Sequence, residues 1–145
     1  MKLLLTGLCL QGNKGGPAIA IALTESIRNH LQRMGTNVDF VLSVPSNKDE
    51  FIQELKWSKY YDLKVIRSVT LTTFVKIFYS QQARKDLVLW IKTLKNSDAL
   101  LQMSAIAYVG KPSAKGSLLE VLISQRFFDL SACLLLRKKL IAWTQ

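Results

Sequence analysis

Prolines, cysteines and histidines are scarce in this sequence. Three prolines and seven glycines among 145 residues are too few for a linker-rich or low-complexity protein. The two cysteines, Cys9 and Cys133, lie in apolar surroundings, and their spacing fits no metal motif. We therefore interpret both as small buried hydrophobic residues, which fits a reducing compartment.

Long apolar runs are missing as well. No stretch reaches the roughly 18–20 apolar residues of a transmembrane helix without intervening charges. The first ten residues combine Lys2 with several leucines, as a signal peptide would, but Thr6 and Gly7 interrupt the run and no small-residue cleavage site follows. We therefore predict a first β-strand here and a cytoplasmic protein, whose basic charge would also allow contact with a membrane surface.

Acidic residues are half as frequent as basic ones. Ten Asp and Glu against twenty Lys and Arg give a net charge of +10. This excess favours anionic partners such as phosphorylated substrates, anionic lipid surfaces or nucleic acid. The cations are scattered, however, and only residues 137–139 form a tight cluster. Because no aromatic residues alternate with them, a solvated basic surface is favoured over a specific nucleic-acid site.

Strand and helix patterns alternate from one end of the chain to the other. The predicted strands are Lys2–Thr6, 38–44, 63–66, Ala99–Met103 and 140–143. The predicted helices begin at Pro17, near Asn47, at Gln81 and at a capping box over residues 117–120, whereas the state of residues 70–79 stays open. This order predicts one α/β domain, a Rossmann-like doubly wound parallel sheet.

The segment between the first strand and the first helix is rich in glycine. Its residues Gly12, Asn13, Lys14, Gly15 and Gly16 precede Pro17. Glycines allow positive φ and close approach of a ligand to the backbone, and a helix N-terminus favours anions. Ligands of parallel α/β sheets bind outside the carboxyl ends of the strands. We therefore predict a ligand-facing loop, with a glycine-rich turn of no binding role as the alternative.

Common motifs do not account for this loop. Lys14 does not follow a glycine directly as the Walker pattern requires, and the glycines lack the spacing of a dinucleotide fingerprint. His30 is interpreted as a surface or helix-terminal residue and Asp98 as a cap or turn residue. Ser104 lacks the glycines of a nucleophile elbow, and no pair of carboxylates stands out for acid–base catalysis. The sequence thus identifies no catalytic residue and predicts no metal ion or cofactor.

Four stretches resemble the polysaccharide pyruvyl transferase family. They are residues 3–7, the glycine segment with the start of its helix at 12–19, residues 96–100, and residues 134–145 with their basic turn before a strand and a glutamine. The sequence departs from the family pattern at Gly16, where an aspartate is common, and at residues 104–107, where a glycine-rich turn is usual.

The resemblance implies a function and a larger architecture. Family members are similar to two-lobed B-type glycosyltransferases, so residues 1–145 would be the N-terminal, acceptor-side half, with the C-terminal half absent. The implied activity is transfer of a pyruvyl group, as a ketal, from phosphoenolpyruvate to a sugar in cell-surface polysaccharide synthesis. The implied partners are this phosphorylated donor and a sugar or lipid-linked sugar acceptor near a membrane.

The resemblance also places the site, and it leaves two alternatives. Residues 12–16 would line the cleft, whereas the general acid and the main donor-binding cations would lie in the absent half, so the chain alone would be inactive. The first alternative is a stand-alone α/β module that binds a nucleotide or phosphate. The second is half of a glycosyltransferase that uses a nucleotide-sugar donor.

Overall fold

Five parallel strands form a single sheet in the computed structural model, which describes residues 1–10, 15–44, 48–103 and 125–143. The strands are β1 (Lys2–Thr6), β2 (Asp39–Val44), β3 (Lys64–Arg67), β4 (Ala99–Met103) and β5 (Lys139–Trp143). The helices are α1 (Gly15–Arg33), α2 (Lys48–Tyr60), α3 (Leu71–Lys76), α4 (Gln81–Lys95) and α5 (Gln125–Leu135). The predicted α/β fold with a Rossmann-like, doubly wound parallel sheet is confirmed.

The strand order is β3-β2-β1-β4-β5, so β1 lies in the centre. Its residue Leu4 pairs with Val41 of β2 on one side and with Leu100 of β4 on the other. A strand that is covered on both faces needs apolar residues at every position instead of an alternating pattern. The unbroken run of leucines in β1 meets this requirement, and it made the strand predictable.

Each face of the sheet carries its own hydrophobic cluster. On the first face, Leu5 and Leu42 pack with partly buried residues of α1 and with Phe51 of α2. On the second face, Leu4 packs with Trp90 of α4 and with residues of α5. The chain changes faces after β3, because it then crosses back over the sheet to place β4 beside β1.

The ends of the helices follow the sequence signals closely. Pro17 lies in the first turn of α1, and Gly35 ends this helix with φ +73 while Thr36 N donates to Leu31 O at 2.9 Å. The sequence left residues 70–79 open, and they contain the short helix α3, capped by the Thr70 side chain. The capping box predicted over 117–120 lies outside the described residues.

The basic turn predicted after the last helix is present. Arg137 has φ +51, in the left-handed region where glycine is usual, and Lys138 N donates to Cys133 O at 2.8 Å to close the end of α5.

Within the part of the chain that the structure describes, no helix is long and apolar enough to cross a membrane.

Asp98 holds the amino ends of β1 and β4 together. Lys2 N donates to Asp98 Oδ2 at 2.7 Å, and Asp98 N donates to Lys2 O at 2.8 Å. A turn or capping role was predicted for Asp98, and these two bonds give it a structural role at the amino edge of the sheet.

Gly7 fixes the opposite ends of the same two strands. It follows β1 with φ +81, and a Cβ at this position would lie 2.1 Å from the carbonyl oxygen of Met103, the last residue of β4. Only glycine has both the required φ and the required space. The backbones of the two central strands therefore touch where they leave the sheet.

We predict that Gly7→Ala lowers the free energy of unfolding by about 2–5 kcal/mol, because it combines backbone strain with a steric clash. Gly35→Ala is the matched control: its φ of +73 is similar, but nothing lies within 4 Å of the added Cβ. The control should lose only about 1–2 kcal/mol. Urea denaturation of both variants measures the difference, and equal losses would contradict a close contact between Gly7 and Met103.

Candidate functional site

The strand order reverses its direction between β1 and β4. The chain moves from β1 to β2 and β3 on one side, and then returns to β4 and β5 on the other. In open α/β sheets a crevice forms at this point, outside the carboxyl ends of the two strands, and ligands bind there. The glycine segment follows β1, so the topology brings it to this point.

The residues predicted to contact a ligand are only partly within the described structure. Gly12, Asn13 and Lys14 lie outside it, whereas Gly15 and Gly16 form the first turn of α1. A Cβ on Gly16 would lie 3.2 Å from Cys9 Sγ, so glycine allows α1 to begin close against the segment that follows β1. This packing gives Gly16 a structural reason to be glycine, whether or not a ligand binds.

Glu54 anchors the segment that follows β1. Its side chain is buried in α2, and its Oε2 accepts a hydrogen bond from Leu10 N at 2.8 Å. A hydrogen bond from a backbone N–H to a carboxylate is stronger than one between neutral groups. The contact positions the chain just before Gly12, and the sequence analysis did not identify it.

A row of three polar side chains crosses the central strands near their carboxyl ends. Thr6 of β1 is in register with Ser43 of β2 and with Gln102 of β4. Their positions alternate with the leucines of the first face, so all three face α4 and α5. Ser43 Oγ accepts a hydrogen bond from Trp90 Nε1 at 3.2 Å, which satisfies the buried indole of α4.

Asp129 of α5 lies against the other two members of this row. Gln102 Nε2 donates to Asp129 Oδ2 at a long 3.5 Å, and Asp129 is only 1% exposed. Neither Asp129 Oδ1 nor Thr6 Oγ1 has a hydrogen-bond partner of proper geometry among the residues described. The Thr6 hydroxyl therefore approaches the carboxyl group without closing a good hydrogen bond.

Burial raises the pKa of Asp129 from its ordinary value of 3.8 to about 7, and the nearby Thr6 hydroxyl and Gln102 amide oppose only part of this rise. Removing a carboxylate from water penalises its charged form. The side chain consequently changes charge close to neutral pH. A carboxyl group with this property can hold or release a proton, but its burial keeps it from direct contact with a dissolved substrate.

Cys133 lies one helical turn after Asp129 and is also buried. Burial raises the pKa of its thiol to about 11, and the charge of Asp129 adds to the effect. A thiol with a raised pKa is a poor nucleophile, which confirms the interpretation of Cys133 as a small hydrophobic residue. Cys9 was also predicted to be buried, but it is only half-buried.

Two other residues considered in the sequence are His30 and Ser104. His30 is exposed in the last turn of α1, as the sequence analysis expected, and Ser104 lies outside the described residues. In the ranges that the structure describes, no three His, Cys, Asp or Glu side chains lie close enough to hold a metal ion. Asp129 and Glu54 are the residues that sequence reasoning missed.

No protein-family model and no curated protein matches this chain. A function must therefore be inferred from the fold and from the geometry around Gly7, Gly16 and Asp129.

We predict that Asp129→Asn removes a pH-dependent loss of stability. Between pH 3.8 and about 7, the unfolded chain carries an ionised Asp129 whereas the folded chain keeps the proton. Because the folded state then binds more protons, this residue lowers stability by about 1.4 kcal/mol per pH unit as the pH rises, and by at most about 4 kcal/mol in total.

The variant and the wild-type chain should therefore be equally stable below pH 3.8, and the variant should be the more stable one at pH 8. Urea denaturation across this range measures the difference. Glu25→Gln, on the exposed face of α1, is the control and should keep the wild-type dependence. A constant difference between Asp129→Asn and the wild-type chain at all pH values would rule out a neutral Asp129 in the folded state.

Proposed function

We propose that this chain is the N-terminal, acceptor-side half of a polysaccharide pyruvyl transferase-like enzyme. The observation that carries the proposal is that the glycine segment, which bears the strongest part of the resemblance, follows β1 at the reversal of the strand order. A segment at that point lies where α/β sheets bind their ligands.

Local electrostatics support an anionic group at this position. The N–H groups of the first turn of α1, which begins at Gly15, lack partners within the helix and carry the positive end of its dipole. Lys14 precedes this turn and adds a cation, and the net charge of +10 attracts anions from a distance. A phosphate or a sugar hydroxyl of the acceptor is the proposed ligand of residues 12–16.

Exposed apolar side chains near β5 support a second lobe. Leu134 and Leu135 at the end of α5, just before β5, are 71% and 83% exposed. Clusters of exposed apolar residues mark contact surfaces more often than free surface. In the proposed enzyme this surface contacts the other half, and the cleft lies between the two.

The proposed reaction divides between the halves. Two hydroxyl oxygens of the sugar bond to C2 of phosphoenolpyruvate, and the bond from C2 to the phosphate oxygen breaks. One hydroxyl proton goes to the methylene carbon, and the other leaves with inorganic phosphate. The residues of this chain would hold the acceptor at the glycine segment, and the groups that protonate the donor and bind its phosphate would come from the other lobe.

We predict that a sugar 1-phosphate, titrated into the 15N-labelled chain, shifts the amide resonances of Gly7, Gly15 and Gly16. Lys14→Ala should weaken this binding about tenfold, since it removes a charge-assisted contact. Lys85→Ala is the control, because Lys85 is exposed on α4, on the other face of the sheet. The absence of shifts at the start of α1, or equal weakening by both variants, would contradict an acceptor site here.

Two further measurements separate the alternatives. We expect the purified chain to form no pyruvyl ketal from phosphoenolpyruvate and a sugar, and measurable turnover would contradict the assignment as half of an enzyme. Saturable binding of a nucleotide that a sugar 1-phosphate does not affect would favour a stand-alone nucleotide-binding module instead.

A further inference from the structure

A second concave site lies at the opposite edge of the sheet from the glycine segment. It is a cavity of about 460 Å³ between the C-terminal parts of α1 and α2 and the amino ends of β2 and β3. Small-molecule sites occupy roughly 300–1,000 Å³. The cavity is therefore large enough for a metabolite.

Three charged residues of both signs, on helices and a turn, line the cavity. They are Arg28 of α1, Lys59 of α2 and Asp62 of the turn before β3. Within the described ranges, none of these three groups forms an ion pair, whereas Arg67 and Asp86 do so elsewhere at 3.6 Å. Charges that converge in a concave site without neutralising each other are available to a ligand.

Arg28 is held in place for such a role. Its Cζ lies 5.7 Å from the centre of the Phe40 ring, a cation–π contact, and Phe40 is itself buried in the core. Stacking orients the guanidinium without using its N–H groups, which leaves the planar fork free for a carboxylate. Arg28 is only half-buried, so a ligand in the cavity can reach it.

Asp62 supplies the opposite charge. It has φ +51 in the turn between α2 and β3, and it is exposed at the cavity. Buried Val38, Phe40 and Leu63 form the apolar part of the cavity and suit an aliphatic stem. With two cations against one carboxylate, the cavity favours a ligand that carries one more negative than positive charge.

We propose that this cavity binds a free acidic α-amino acid, with its carboxylates at Arg28 and Lys59 and its ammonium group at Asp62. This second site is separate from the proposed transferase cleft, since it lies at the amino edge of the sheet and shares no residue with the glycine segment.

Three compounds that differ by one charged group test the proposal. L-glutamate carries all the proposed groups, glutarate lacks the ammonium group, and 4-aminobutyrate lacks one carboxylate. Titrated into the 15N-labelled chain to about 10 mM, L-glutamate should shift the amides of Phe40, Ser58 and Leu63 saturably, and the other two should bind at least about tenfold more weakly. No saturable shift with L-glutamate, or equal binding of all three compounds, would overturn the proposal.

Two variants then locate the contacts. Arg28→Gln should weaken glutamate binding about tenfold or more. Arg33→Gln, on the same helix but outside the cavity, should leave it unchanged. Asp62→Asn keeps a residue that tolerates positive φ, and it should reduce the preference for L-glutamate over glutarate. Loss of binding in both arginine variants, or an unchanged preference in Asp62→Asn, would contradict the assigned contacts.

The amide spectrum of each variant first establishes that it folds. The outcome is independent of the transferase proposal, because a sugar 1-phosphate is expected to shift residues around Gly7 and Gly16, at the other edge of the sheet. Failure of one titration therefore leaves the other unaffected.

Discussion

The pairing of β1 with both β2 and β4 is the interaction on which the rest of the structure depends. It places a strand with three consecutive leucines in the middle of the sheet, so both faces must be covered by helices. Asp98 joins β1 to β4 at one end, and the close contact of Gly7 with Met103 joins them at the other. The reversal of the strand order, and with it the position of the glycine segment, follows from this pairing.

The centre of the sheet contains three polar side chains near the reversal of the strand order: Thr6, Ser43 and Gln102. Ser43 is satisfied by an indole N–H, whereas Thr6 and Gln102 face a carboxyl group whose hydrogen bonds are long or incomplete. A buried carboxyl with so little support resists ionisation. The arrangement costs stability close to the carboxyl edge of the sheet, which is where α/β proteins commonly place functional groups.

Local sequence signals predicted the elements of this fold well. The leucine run ended by Gly7 marked β1, and Gly35 marked the end of α1, because both signals depend only on neighbouring residues. The start of β3 was placed one residue early, since its first residue, Lys64, is exposed at the edge of the sheet.

The contacts that the sequence did not reveal depend on how the elements pack. An aspartate in a helix is usually exposed, and only the face that α5 turns to the sheet buries Asp129. The role of Glu54 depends on the packing of α2 against the segment that follows β1. The cation–π contact of Arg28 depends on the packing of α1 over Phe40 of β2. The sequence could predict that a glycine-rich segment follows β1, but no local pattern could supply the neighbours of these three residues.

The distance along the chain between the partners of β1 also governs how the molecule can fold. Lys2 and Asp98 are bonded although they lie 96 positions apart, so β1 completes its pairing only after the chain has been made as far as β4. Non-local parallel pairing of this kind slows folding. Until β4 is made, one edge of the leucine-rich central strand remains open to other chains. Synthesis of this protein therefore passes through a stage in which its own central strand can pair with another chain and aggregate.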